Sequence, residues 1–282
     1  MVSTETLSWR ALAGDRVGPT EAQVDPMIRL LRNGKARWGP IPLPFVVRRW
    51  VERRRWNKAP GRLVRLLPSQ VTEAQFRGWM SEVEPITAEL RENFSKATWA
   101  PGTVQGDTAA YDRGPILYAL VRALGARSVV ETGVASGSSS RYILEALRRN
   151  GGGGRLCSID LPDGTGIPQG RTVGWQVPEN LRENWTLTLG DAKVELPKLL
   201  EGLKEIDLFF HDSDHSEEHM TFEFTQVWSH LRDGGVLGSD DVYWNQAWER
   251  FLGPRGRPEV LVGGMGFTSK GRSPPATAHG SS

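Results

Sequence analysis

The sequence predicts an α/β protein built on a doubly wound, mostly parallel sheet with an N-terminal helical region. Three observations lead there. A buried strand, a glycine turn and a helix start are compressed into Val129-Val130-Glu131-Thr132-Gly133-Val134-Ala135-Ser136-Gly137-Ser138-Ser139-Ser140. Short apolar runs follow it, each closed by a carboxylate. Between the runs, apolar residues recur at helical spacing.

Taken in order, Val129 and Val130 suit a strand, and Gly133 and Gly137 permit positive φ and close backbone approach. Ser136 and Ser138 to Ser140 are candidate caps for a helix carrying Tyr142, Ile143, Ala146 and Leu147 inward. Leu156 to Asp160 reads as the second strand. Trp185 to Leu189, closed by Gly190-Asp191-Ala192, is the third, and Ile206 to His211, closed by Asp212, is the fourth. A helix around Phe222 to Leu231 and the turn Arg232-Asp233-Gly234-Gly235 lead to the fifth, Val236 to Ser239, ending in Asp240-Asp241. The carboxyl ends of parallel strands line one crevice, so Glu131, Asp160, Asp191, Asp212, Asp240 and Asp241 are expected to converge there.

The glycine spacing excludes two nucleotide fingerprints. Gly133 and Gly137 form no GxGxxG pattern and precede no Gly-Lys-Ser/Thr, so dinucleotide and P-loop readings are weak. Glu131 beside the turn would repel phosphate at a positive helix end. A cationic or hydroxyl-rich ligand suits the junction better. An acid at the position of Asp160 reaches ribose hydroxyls.

Over residues 105 to 267 these motifs resemble the class I S-adenosylmethionine-dependent methyltransferases, whose Rossmann-like fold the strand series matches. Glu131 to Gly137 looks like their first motif, Asp160 like the ribose-binding acid, and Gly190-Asp191-Ala192 like the segment beside adenine. The pattern Phe209-Phe210-His211-Asp212-Ser213-Asp214-His215, with Gly238-Ser239-Asp240-Asp241, is similar to the metal-dependent catechol-type O-methyltransferases. It also resembles the methyltransferase-like enzymes of cephamycin biosynthesis. The resemblance implies cofactor contacts from Glu131, Gly133, Ser136, Gly137, Asp160, Asp191, Ala192 and Asp212, and a Mg²⁺ site at Asp212, Asp240 and Asp241. Asp241 stands where the catechol enzymes carry an amide, and the residues around His215 do not reproduce their catalytic lysine segment.

Clustered carboxylates suit an oxygen-preferring Mg²⁺, which would lower the pKa of an acceptor hydroxyl. His215, three residues after Asp212, is the candidate base, and capping of the helix near Ser216 is its structural alternative. His211 reads as packing or support. Tyr243, Trp244, Asn245 and Trp248 form either an aromatic wall over the acceptor or ordinary core. The expected activity is methyl transfer to a hydroxyl of a sugar-bearing or aromatic natural product with Mg²⁺ assistance. A metal-independent enzyme using His215, or a non-catalytic cofactor-binding accessory protein, are the alternatives.

The remaining features bound the reading. Within 282 residues, 1–104 are expected as a helical cap region, 105–267 as the catalytic domain and 268–282 as a disordered tail. A basic amphipathic helix is expected at Phe45 to Arg55, behind the Pro40 to Pro44 break, read as a solvated cationic face rather than a nucleic-acid surface. Val71 to Phe94 reads as helix, with Thr72 as cap, Ala74, Phe76, Met80, Val83 and Ile86 inward, and Pro85 as an interruption. Pro115 suits the first turn of a helix over 115–124, with Tyr111 and Asp112 before it as candidate lid residues. The Gly- and Pro-rich insertion Leu161 to Asn184, with Trp175, is the candidate for acceptor recognition. A formal charge of +2, one cysteine (Cys157) and the lack of a leader or a membrane-span pattern point to a soluble cytoplasmic protein with a small-molecule partner and a possible homo-oligomeric state.

Overall fold

The computed structural model describes residues 58–100, 110–162 and 166–271. The basic helix expected at 45–55 lies outside the described residues, as do the side chains of Tyr111 and Asp112. Seven strands make one sheet: β1 Ser128–Thr132, β2 Arg155–Asp160, β3 Trp185–Leu189, β4 Ile206–His211, β5 Leu231–Ser239, β6 Glu259–Val262 and β7 Met265–Ser269. Their order is β3-β2-β1-β4-β5-β7-β6. β1 to β5 pair in parallel, and β7 runs antiparallel to β5 and β6.

The helices are α1 Ala59–Leu63, α2 Glu73–Glu82, α3 Glu84–Lys96, α4 Ala110–Leu124, α5 Ser138–Arg149, α6 Glu179–Arg182, α7 Ala192–Gly202, α8 Glu217–His230 and α9 Ala247–Leu252. They cover both faces of the sheet. Val129, Leu156, Leu208 and Phe210 pack with α4 and α5, whereas their neighbours Val130, Ile159 and Phe209 pack with α7, α8 and α9. Alternation along β4 thus feeds two cores, and the strands are apolar on both faces as a covered parallel sheet requires.

Several boundaries depart from the sequence expectation for local reasons. β5 begins at Leu231: Ile206 pairs with Leu231 and Leu208 with Val236, so Arg232 to Gly235 bulge from the strand instead of preceding it. Arg232 pairs there with Asp207. Thr268 and Ser269, expected in the tail, complete β7, and Thr268 Oγ1 donates to the Pro258 carbonyl at 2.8 Å. α4 starts at Ala110, which places Pro115 inside the helix and forfeits a backbone hydrogen bond in its second turn.

The region before α4 follows its signals more closely. Thr72 caps α2 through a capping box, its hydroxyl accepting from the Gln75 amide at 3.2 Å while Gln75 Oε1 accepts from the Thr72 amide at 2.9 Å. The break falls at Val83, with Pro85 in the first turn of α3. Phe76 and Val83 are buried, but Ala74 is exposed. Two residues along a helix rotate a side chain by about 200°, which turns Ala74 away from the stripe led by Phe76.

Candidate functional site

The parallel ladder continues one rung past each strand, and those rungs build the crevice mouth. The Gly190 amide donates to the Asp160 carbonyl at 2.8 Å, Gly133 to Ile159 at 2.9 Å, Asp212 to Thr132 at 2.7 Å and Asp240 to His211 at 2.8 Å. The candidate residues on four strand ends are therefore set side by side by backbone bonds.

Gly133 and Gly137 both adopt left-handed backbone, with φ of +83° and +86°. A Cβ on Gly133 would lie 2.0 Å from the Asp212 carbonyl oxygen, so only glycine lets the turn pass this close to the end of β4. Gly137 is the N-cap of α5, with no side-chain cap bond, so the serines do not cap as expected. They serve the interior instead. Ser140 Oγ donates to Glu131 Oε2 at 2.6 Å, Ser158 Oγ donates to the same oxygen at 2.9 Å, and Trp185 Nε1 donates to Ser158 Oγ at 2.9 Å. Asp160 braces the turn, its Oδ2 accepting from the amides of Val134 at 3.0 Å and Ala135 at 2.7 Å.

Glu131 is fully buried, and among the described residues its Oε1 has no partner and Ser136 Oγ is likewise buried without one. Burial pushes the Glu131 carboxyl up to about 7, against the lowering effect of its serine donors. The folded protein thus holds a proton there that the unfolded chain has released above 4.5. This stabilisation is present below that lower value and is lost as pH rises through about 7. Urea stability of the ligand-free protein is expected to fall across this window, and Glu131→Gln, which stays neutral, is expected to flatten the fall. An unchanged slope in the variant would assign the pH dependence elsewhere.

The insertion after β2 clamps the glycine turn. The Gly174 amide donates to the Ala135 carbonyl at 2.8 Å and the Gln176 amide to the Ser136 carbonyl at 2.9 Å. Arg182 Nη2 donates back to the Gly174 carbonyl at 3.1 Å. Trp175 Nε1 is buried without a hydrogen-bond partner.

Beneath the mouth lies a network that sequence reasoning missed. Glu223 of α8 is fully buried. Its Oε2 accepts from Thr132 Oγ1 and His211 Nδ1, both at 2.6 Å, and its Oε1 from His219 Nε2 at 2.8 Å and Ser213 Oγ at 2.9 Å. Burial raises this carboxyl's pKa, but His211 and His219 overcome that effect and hold it well below the usual carboxylate range. His211 also meets the His215 ring edge-on, with centroids 5.1 Å apart. A signal was present: Glu223 falls in the stripe Met220, Phe224, Val227, where an acid has no reason to be unless it is paired.

His215 is mostly buried, with Nε2 3.7 Å from Asp212 Oδ1. Burial pulls its pKa down, leaving it neutral near pH 7 and able to accept a proton. Its capping alternative does not hold: Ser216 is the N-cap of α8, accepting from the His219 amide at 3.3 Å. The Asp240-Asp241 pair follows β5, with Asp241 in left-handed backbone at φ +47°.

The expected magnesium site is not assembled as one. Among the described residues, no group of three or more His, Cys, Asp or Glu side chains is arranged to hold a metal ion. Among the described residues, a cation at this mouth is Arg113 of α4, whose Nη1 pairs with Asp240 Oδ2 while both side chains are at least nine-tenths buried. Burial opposes its charge, but Asp240, Asp241 and Asp212 together raise its pKa above the ordinary arginine value. A carboxylate already engaged by a guanidinium is a poor magnesium ligand.

Other candidates sort plainly. Asp191 is exposed and caps α7, its Oδ1 accepting from the Lys193 amide at 2.8 Å, with Ala192 buried behind it. Trp248 is core rather than wall, buried edge-on against Phe224. Tyr243, Trp244 and Asn245 are half-buried, and Asn245 Nδ2 donates to the His215 carbonyl at 2.9 Å. Cys157 is half-buried, and burial raises its thiol pKa.

Residues 130–242 match the family model described as a methyltransferase domain, a span that holds every cofactor, metal and catalytic residue expected from sequence. No curated protein matches the chain. Among solved structures, the chain is similar to the O-methyltransferase from Bacillus cereus in complex with SAH, at 19% identity and TM-score 0.45, covering 68% of this chain and 91% of that one. It is also similar to the O-methyltransferase TomG from Streptomyces achromogenes in complex with SAM, at 19% identity and TM-score 0.48, covering 78% and 99%.

Proposed function

We propose, from the premise that residues 130–242 are a methyltransferase domain, that this protein moves a methyl group from S-adenosylmethionine to a hydroxyl of a small molecule, sugar-bearing or aromatic. The doubly wound sheet is the Rossmann-like fold such enzymes use. When bound, the cofactor supplies an electrophilic methyl on a sulfonium centre.

The residues at the glycine turn fit that cofactor. Gly133 lets the turn lie close against the end of β4, and among the described residues Glu131 Oε1 and Ser136 Oγ are buried polar atoms without protein partners. Gly137, Asp160, Asp191, Ala192 and Asp212 complete the set expected to hold it. Once ionised, as pH rises through about 7, Glu131 favours a cationic ligand over a phosphate.

The carrying observation is the neutral, mostly buried His215 held beside Asp212 at the ends of β4 and β5. His215 takes the hydroxyl proton as the acceptor oxygen attacks, and Asp212 stabilises the imidazolium that results. Among the described residues no helix is long and apolar enough to cross a membrane, and nothing in this reading needs one.

Calorimetry with S-adenosylmethionine tests the first half: wild type is expected to bind, and Asp160→Ala to lose binding as the turn loosens. His215→Ala is then expected to keep cofactor affinity while kcat falls by about 10²- to 10⁴-fold on a hydroxylated acceptor. Absent cofactor binding would overturn the reading. Binding with no transfer to any hydroxylated acceptor would favour an accessory protein.

A further inference from the structure

The acid cluster and its guanidinium suggest a specific answer to how this mouth is kept electrically tolerable. Asp212, Asp240 and Asp241 follow two adjacent strands, and three carboxylates so placed repel one another unless a cation stands among them. Among the described residues, Arg113 supplies such a cation. Its side chain is 7% exposed, it pairs with Asp240, and it comes from a different element, the first turn of α4.

Its position is built rather than adopted by a mobile surface side chain. The next residue, Gly114, packs so closely on α5 that a Cβ there would fall 2.0 Å from the Tyr142 ring. Tyr142 is itself buried and tied through its hydroxyl to Thr87 Oγ1 at 2.6 Å. The glycine lets α4 sink against α5, and that approach delivers the neighbouring arginine to the strand ends. A divalent ion ligated by Asp240 would have to share its carboxylate with this fixed positive charge, at close range and away from bulk solvent.

We propose that Arg113 is the resident cation of the Asp212, Asp240 and Asp241 cluster, standing where a divalent metal would otherwise sit, and that it positions these acids around His215 for metal-independent transfer. The proposal rests on the methyltransferase reading for its catalytic half, whereas its metal half stands alone. Arg113 acts through Asp240.

The test uses the purified full-length protein, stripped with EDTA, and Mn²⁺ as a spectroscopic probe read by electron paramagnetic resonance, with no acceptor or turnover needed. Wild type is expected to leave Mn²⁺ free at millimolar concentration. Arg113→Gln is expected to gain a Mn²⁺ site that Arg113→Gln/Asp240→Asn lacks, with folding of each variant checked by circular dichroism. Arg113→Lys keeps the charge and is expected to stay silent towards Mn²⁺, and Arg113→Met, which removes the charge with less loss of packing, is expected to gain the site if the glutamine variant does not fold. Once an acceptor is in hand, kcat of wild type is expected to change by less than about twofold between EDTA and Mg²⁺. A stoichiometric Mn²⁺ site in wild type that Asp240→Asn removes would overturn the proposal, as would a folded Arg113→Gln protein that binds none. Loss of S-adenosylmethionine binding in wild type would sink the methyltransferase reading and leave the Mn²⁺ result intact.

Discussion

Glu223→Ala is expected to cost about 3–5 kcal/mol of unfolding free energy, because it deletes the acceptor of a buried charged network and leaves its donors facing a void. Four donors lose their partner: Thr132, His211, Ser213 and His219. Glu223→Gln keeps the volume but offers one acceptor oxygen instead of two, and is expected to cost less. Urea denaturation followed by tryptophan fluorescence reads both. The loss also carries a pH signature. Glu223 raises the His219 pKa, so this pair stabilises the fold fully below the unfolded histidine value of 6.5 and less as pH rises through the higher folded value. The penalty of Glu223→Ala is accordingly larger under mildly acidic than under alkaline conditions. A penalty below about 1 kcal/mol at neutral pH would mean the network is not formed in solution.

Gly133→Ala is expected to destabilise by about 2–5 kcal/mol, combining the left-handed backbone penalty with overpacking against the main chain of β4. The colliding atoms are the carbonyl oxygen and carbon of Asp212, at 2.0 and 2.3 Å, and they have no flexible end to swing aside. Gly125→Ala is the matched control: that glycine also has positive φ, at +56°, but nothing lies within 4 Å of an added Cβ. The control is expected to lose only about 1 kcal/mol and to retain cofactor binding. Gly133→Ala is expected to lose that binding, since relief of the collision must shift either the turn or Asp212. Calorimetry on both variants decides it, and equal losses would show that backbone strain alone matters.

The parallel half of the sheet was legible because each strand is an apolar run closed by an acid, a pattern that survives without tertiary context. The break at Pro85 and the Thr72 capping box were legible for the same reason. Position 115 was not, since a proline near a helix start gives no sign of how far upstream the helix begins. The serines after Gly137 were misread because Ser140 serves a buried acid on β1 and Ser138 accepts from Gln176, demands that local capping rules do not contain. Arg113 was invisible: one arginine among many becomes distinctive only when α4 sinks onto α5 and meets a pair of acids far along the chain. The carboxylates announced a cation, and sequence alone suggested a dissolved one where the fold supplies a covalently attached one.

The rungs that extend past the strand ends give this mouth an unusual division of labour. Since Gly133, Asp212 and Asp240 are held by main-chain bonds to Ile159, Thr132 and His211, their spacing follows the sheet's stagger, and at Gly133 it also needs the absence of a side chain. The surrounding segments, 166–184 and 241–246, brace this frame from the rim, the Gly174 amide donating to the Ala135 carbonyl and Asn245 Nδ2 to the His215 carbonyl. Side-chain changes on those segments can therefore reshape the rim while the main-chain rungs at the strand ends persist.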